Sequence, residues 1–330
     1  MAYQTGSATS LQDLLSKLNT FLTANGWTID EFDTSGGDWA VSKNNIFVSG
    51  RWDTTAPQWL SLHQALAFAG MVTLPGDHTD DSGNGYNTNS SHLNTFLDNE
   101  RSVNFQVNGL YPAYHFFEND AAPAYVHVVV EVITDQFVHF GFGEIEKVGD
   151  WTGGEYVYGQ KHSSTTGLTT SSSWLLDGGL DNSSTDEQFA ATLHMEGLPG
   201  MGVSEKWGQV WGSTVGQPND TAGNAKVIVQ GGYRGGPIAH SFGVFGGSNT
   251  SGLIPSYPIG VWYRDIANNR AYFLGFQADV RATNMKNFAP GEEVVIGSDT
   301  WVFFPASIRT LDPITFSSRW LGIAYKKVTA

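Results

Sequence analysis

The sequence predicts a mostly β protein, antiparallel and sandwich- or barrel-like, with one short amphipathic helix near its N-terminus. Three observations predict it. Short runs of alternating β-branched and aromatic residues recur along the chain, Gly and Asn pairs separate them, and a single segment carries a helical apolar period. The 39 Gly and 20 Phe among 330 residues fit tight turns between aromatic-rich strands.

The helix is predicted over residues 10–25. Leu11, Leu14, Leu15, Leu18, Phe21 and Leu22 form an i, i+3, i+4, i+7 stripe. Thr9 and Gln12 have capping-box spacing, Ser10 competes as N-cap, and Gly26 supplies the stop. Such a stripe must dock onto a sheet of its own domain, the favoured reading, or onto a neighbouring copy. Leu11, Leu14 and Leu18 are the candidate contact residues if a neighbour is involved.

Strand-like pieces follow as WTIDEF, WAVSK, NIFVSG and APQWLSL, with Gly36-Gly37 and Asn44-Asn45 as turns. Residues 64–70 are ambiguous between strand and helix. Residues 75–92 form a long polar loop without periodicity. Strands resume with RSVNFQV and AYHFF. Beyond a Ser/Thr-rich link at 163–173, residues 174–225 are weakly patterned, which predicts irregular structure and one short helix near 185–193. Further short strands are predicted at 226–230, 241–245, 259–264, 270–276, 293–296, 300–304 and 320–325, with Asn268-Asn269 as a hairpin turn. The link divides an N-terminal region, 1–162, from a second β-rich region, 174–330, unless one domain runs through both.

The clearest signal is residues 125–159, YVHVVVEVITDQFVHFGFGEIEKVGDWTGGEYVYG. Val126, Val128, Val130 and Val132 fall on one parity, and Tyr125, His127, Val129, Glu131 and Ile133 on the other. The alternation resumes with Val138, Phe140 and Phe142 against Phe137, His139, Gly141 and Gly143. A two-residue loop would mix the faces. A three-residue loop, Thr134-Asp135-Gln136, pairs Val132 with Val138 and Val130 with Phe140. It also sets Glu131 opposite His139 as a half-exposed structural pair, with an acid–base couple as the rival reading.

Composition excludes several functions. The net charge is −15 and no Lys/Arg run exists, so clustered phosphate contacts to nucleic acid or to an anionic membrane are not supported. Cys is absent, which removes disulfides and thiolate chemistry. The first residues lack the basic and apolar regions of a secretory signal, so cytoplasmic folding is expected. Only 15% of residues are charged, a texture common where surface is buried against partners.

Candidate chemistry is sparse. Asp77, Asp80 and Asp81 in DHTDDSGNG offer hard oxygen ligands suited to Ca²⁺, but the EF-hand spacing fails at Thr88, and a solvated loop is the favoured reading. Glu144 and Glu146, with Glu155 nearby, have the residue types of a glycosidase acid/base set. Two residues apart on one strand they would share a face at roughly 7 Å, with a non-catalytic pair as the favoured reading. The nine His form no HxH, HxxxH or HExxH motif, and P-loop and GxGxxG patterns are absent at useful positions, so no cofactor is predicted. Trp151 and Trp174, with Tyr156, Trp207 and Trp211, lie in Gly-rich surroundings and could stack on sugars or pack at an interface.

Three stretches carry a resemblance: LQDLLSKLNTFLTANGWTID, VHFGFGEIEKVGDWTGGEYVYG, and WVFFPASIRT with SRWLGIAYKK. Together they resemble tailed-bacteriophage virion structural proteins. The resemblance implies a non-enzymatic component of the neck or collar, tail or head decoration. It further implies a virion location and, as partners, other virion proteins and copies of the chain itself. It carries over no active-site residue. The alternatives that the residues leave open are a glycan-binding receptor or adhesion module and a capsule-degrading glycoside hydrolase.

Overall fold

The computed structural model of the protein describes residues 2–44, 46–52, 59–65, 103–106, 110–159, 191–199, 207–211, 226–229, 256–265, 270–285, 288–305 and 321–328. The chain opens on a strand absent from the sequence reading, β1 (Ala2–Ala8), followed by the helix α1 (Leu11–Ala24). Next come β2 (Thr28–Asp33), β3 (Asp38–Lys43), β4 (Ile46–Trp52), β5 (Trp59–Ala65) and β6 (Val103–Gln106). They are followed by β7 (Tyr111–Asn119), β8 (Tyr125–Ile133), β9 (Gln136–Glu144), β10 (Glu146–Lys147) and β11 (Thr152–Gly159). The later strands are β12 (Ala191–Glu196), β13 (Trp207–Trp211), β14 (Lys226–Val229), β15 (Ser256–Asp265), β16 (Arg270–Asn284), β17 (Glu292–Ile296), β18 (Asp299–Pro305) and β19 (Leu321–Lys327). The mostly antiparallel β class with a single short helix is therefore what the chain adopts.

The helix is capped at both ends by its own sequence. Ser10, rather than Thr9, is the N-cap, and its hydroxyl accepts from Asp13 N at 3.1 Å. Asp13 in turn accepts from Thr9 N at 2.9 Å. At the other end Gly26 takes φ +79°, and Trp27 N donates to Leu22 O while Gly26 N donates to Thr23 O. This is a Schellman closure, which needs the left-handed residue that Gly provides.

Two sheets organise the rest. β2 to β6 form a five-stranded antiparallel meander in chain order. The other strands form a 14-stranded sheet ordered β1-β7-β8-β9-β11-β12-β13-β14-β15-β16-β19-β18-β17, with β10 paired to β16. That sheet folds back on itself. Side chains from β7, β8, β9, β11 and β12 share one core with side chains from β15, β16, β18 and β19. Strands from both 1–162 and 174–330 thus build the same sheet and the same core. β12 and β13 lie where the sequence predicts irregular structure. Positions 191–193 of the expected helix belong to strand β12, and positions 185–190 are outside the described residues.

The hairpin β8–β9 is buried on both faces. Its Val126, Val128, Val130, Val138, Phe140 and Phe142 face lies under α1 and the five-stranded sheet, in one core with Leu14, Leu18, Trp27 and Trp39. Trp27 and Trp39 meet Phe142 edge-on at 5.2 and 5.9 Å. Each large apolar side chain fully buried here contributes about 1.5–3 kcal/mol. The expected half-exposed second face does not exist. Val129, Phe137, His127 and His139 on that side are all buried against the returning half of the sheet.

The hairpin register also differs from the expected one. Ile133 pairs with Gln136 across a two-residue turn, Thr134-Asp135, with Asp135 at φ +62°. Continued regularly, that turn would mix the faces. A bulge at Val132 absorbs one residue and restores parity, so Val130 meets Val138 and Val128 meets Phe140. Glu131 pairs with Phe137, and its carboxylate accepts from Asp135 N at 3.1 Å, closing the turn. It has no part in a pair with His139, whose register partner is Val129.

A buried ion pair clasps the helix end and the small sheet to the large sheet. Lys43 Nζ donates to Glu118 Oε1 at 3.0 Å and to Asn25 O at 2.8 Å, and Trp27 Nε1 donates to the same Glu118 oxygen at 3.2 Å. Burial raises the Glu118 pKa above the usual carboxylate value, and Lys43 and Trp27 pull against that rise. Removing one partner of such a pair strands a buried charge. Lys43→Ala is expected to cost about 3–5 kcal/mol in urea denaturation, against near-neutral effects for exposed lysines. Gly141→Ala is expected to cost about 1–3 kcal/mol, because its Cβ would meet Tyr158 and the Val126 carbonyl.

Candidate functional site

The chemistry-bearing side chains gather in two places, a seam inside the sandwich and a cluster on the opposite face of β11 and β12. The seam follows from strand parity. In β8 and β9 the residues opposite the Val/Phe face include Tyr125, His127 and His139, and β11 adds Tyr156 and Tyr158. The returning half supplies Tyr325 from β19 and backbone carbonyls from β16 and the end of β18.

Each seam histidine is held through both ring nitrogens. His127 Nε2 lies 3.3 Å from Ala278 O, and its Nδ1 lies 2.9 Å from the Tyr158 hydroxyl. His139 Nε2 lies 2.8 Å from Pro305 O, and its Nδ1 lies 2.8 Å from the Tyr325 hydroxyl. A carbonyl oxygen only accepts, so Nε2 carries the proton in both rings. A neutral ring then accepts at Nδ1, and the tyrosine donates. Burial lowers the His127 pKa to about 3 and the His139 pKa to about 4, with the carbonyl bonds opposing the shift in each case. Burial likewise pushes the Tyr158 and Tyr325 hydroxyls well above their ordinary value, so both stay protonated, and the two hydroxyls also interact with each other.

The seam continues at both ends. Tyr125 donates to Asp279 Oδ2 at 2.7 Å, where β16 passes through φ +53° at Asp279. Lys326 Nζ stands 3.7 Å from Asp279 and 3.2 Å from Asp299. At the other end Tyr3 of β1 meets His115 Nδ1 at 2.9 Å, and burial lowers the His115 pKa to about 4. Lys327 lies 4.9 Å above the Tyr3 ring and pairs with Glu293 of β17 at 2.7 Å. Tyr125–Asp279 and Lys327–Tyr3 join the two layers, whereas Tyr3–His115 and the Lys326 pairs link neighbouring strands within one layer.

The second cluster joins neighbouring strands. His194 Nδ1 is 2.7 Å from Glu155 Oε2 and its Nε2 is 2.9 Å from Glu196 Oε1. Glu144, the register partner of Glu155, shares this face. Its pKa is raised by burial first and by the Glu155 charge second. Burial alone would lower the His194 pKa, but the bonds to Glu155 and Glu196 outweigh it and the net shift is upward. Sequence reasoning missed this cluster because 39 residues separate Glu155 from His194.

The other candidates fall as follows. Leu11, Leu14 and Leu18 are each 0% exposed and belong to the molecule's own core, so this stripe is not an outward contact surface. Glu146 leaves the strand of Glu144 and pairs with Phe276 of β16 as part of β10, so the two do not form a pair along one strand. Trp151 is half-buried, its Nε1 donates to Val148 O at 3.2 Å, and Lys147 lies 5.5 Å from its ring. One ring face is thus engaged by a cation from β10. Asp77, Asp80, Asp81 and Trp174 lie outside the described residues. Among the described residues no group of three or more His, Asp or Glu is placed to hold a metal ion. The chain matches no protein-family model and no curated protein sequence.

The seam makes a signed prediction. A histidine whose folded pKa lies below its unfolded value destabilises the fold only where the unfolded ring becomes charged. The seam's contribution is therefore intact above pH 6.5 and lost as pH falls from there toward about 4. Chemical denaturation at stepped pH should show stability falling by up to about 1.4 kcal/mol per pH unit for each such histidine. Tyr325→Phe removes the donor to His139 Nδ1 and is expected to cost about 1–3 kcal/mol at neutral pH.

Proposed function

We propose that the chain is a non-enzymatic structural component of a tailed-phage particle, present in multiple copies at the neck or collar or the tail. The observation that carries this reading is where the molecule places its reactive side chains. The seam histidines His127 and His139, which an enzyme would present to a substrate, are fully buried and consumed in hydrogen bonds, to Ala278 O, Pro305 O and Tyr325 across the layers and to Tyr158 within one. A scaffold needs that rigidity, and a catalyst of this composition would need those groups free.

Three further facts support the reading. The stretches that resemble virion structural proteins fall on α1, on β9 to β11, and on β18 and β19, the elements that build both cores. β1 and β17 end the large sheet and, among the described residues, each pairs on one side only, which leaves strand edges suited to assembly. The charge of −15 suits an outer surface that does not touch packaged DNA.

Mass spectrometry of purified particles tests the proposal. The chain is expected at a fixed, stoichiometric copy number relative to the major head and tail proteins. Its absence from intact particles, or its presence only in trace amounts, overturns the reading.

A further inference from the structure

β12 follows β11 in the sheet, and its pairing to β11 is irregular. The register shifts between Gly153 and Tyr156, opposite His194. At that break the regular ladder is replaced by a side-chain clasp. His194 is 6% exposed, and both its ring nitrogens reach carboxylates, Glu155 of β11 at 2.7 Å and Glu196 of its own strand at 2.9 Å. A carboxylate only accepts, so both contacts are hydrogen bonds when the ring carries two protons. With one proton removed, one nitrogen lone pair faces a carboxylate across the same short distance.

We propose that His194 is a proton-operated latch that holds β12 against β11 while its ring is doubly protonated and releases that end of the strand when one proton leaves. The carboxylates around it act in the same direction, and Lys147 acts against them. Glu144 of β9 stands opposite Glu155, so the clasp faces three carboxylates from three strands. Lys147 of β10 acts on Glu144 and donates to Trp151 O at 3.4 Å. β13, the far neighbour of β12, carries no titratable residue, and β5, which approaches β11, carries His63. Loss of the His194 proton therefore turns one of the two clasp hydrogen bonds into a lone pair facing a carboxylate, at the point where the β11–β12 register shifts.

The direction is opposite to that of the seam. A histidine with its folded pKa raised stabilises the fold fully below pH 6.5, and that contribution is lost as pH rises through the raised value. Amide hydrogen exchange by mass spectrometry, from about pH 6 to about pH 9 and corrected for base catalysis, reads the latch directly. Protection of residues 193–196 should fall about tenfold for each unit by which His194 titrates above 6.5. His194→Asn should give low protection that does not change with pH, and Glu155→Gln should move the midpoint down toward 6.5. Protection in the wild type that is flat with pH, or an unchanged pH profile in the His194→Asn protein, overturns the proposal. If that variant does not fold, the His194 Cε1 proton resonance in the wild type decides. A midpoint above 6.5 that coincides with the exchange midpoint supports the latch, and a midpoint at or below 6.5 overturns it.

Discussion

A polar side chain buried in a β-layer that is covered on both faces is costly unless it is matched, and this constraint shapes the molecule. The β8–β9 hairpin lies between the helix and small sheet on one side and the returning half of the large sheet on the other. Its histidines are tolerable there because each finds a carbonyl for its proton and a tyrosine hydroxyl for its lone pair. Those partners come from strands far away in sequence, Tyr325 being 186 residues from His139. The hydrogen bonds therefore specify which strand lies over which, beyond what apolar packing alone dictates. Gly141 belongs to the same arrangement, since a side chain there would collide with the Tyr158 ring that reaches His127.

The titratable groups divide by location into two opposed sets. The seam histidines are stripped of water and kept neutral, so acid works against the fold. His194 is almost as deeply placed but bound by two carboxylates, so base works against it. Burial acts the same way on all three, and the partners decide the outcome. Carbonyl and hydroxyl groups cannot compensate a cation, whereas carboxylates can. A protein built this way has its greatest integrity between the two limits.

The sequence displays part of this clearly. Period-two alternation reveals the two faces of the hairpin, and the leucine stripe reveals the helix, because both patterns are set by local geometry. The register is hidden because it turns on a bulge at Val132, and Val looks the same in a bulge as in a ladder. The second face looks half-exposed because His and Tyr read as polar. The clue is that Tyr125, His127, Phe137 and His139 on it are all bulky ring side chains, with Glu131, at the turn, the face's one charge. β1 escapes notice because Gln, Thr, Gly and Ser fill an edge strand that needs little burial. The His194 cluster is illegible for a different reason. Its members come from β11 and β12, and only the fold brings those together.

The most direct test of the account is the protonation state of the two seam imidazoles in the native protein. Nitrogen-15 spectra of histidine-labelled protein at neutral pH are predicted to show His127 and His139 as neutral rings protonated at Nε2, with Nδ1 shifted by hydrogen bonding, and unchanged until acid unfolds the chain. Rings that titrate reversibly near 6.5, or that carry the proton on Nδ1, would contradict a core held together by these bonds.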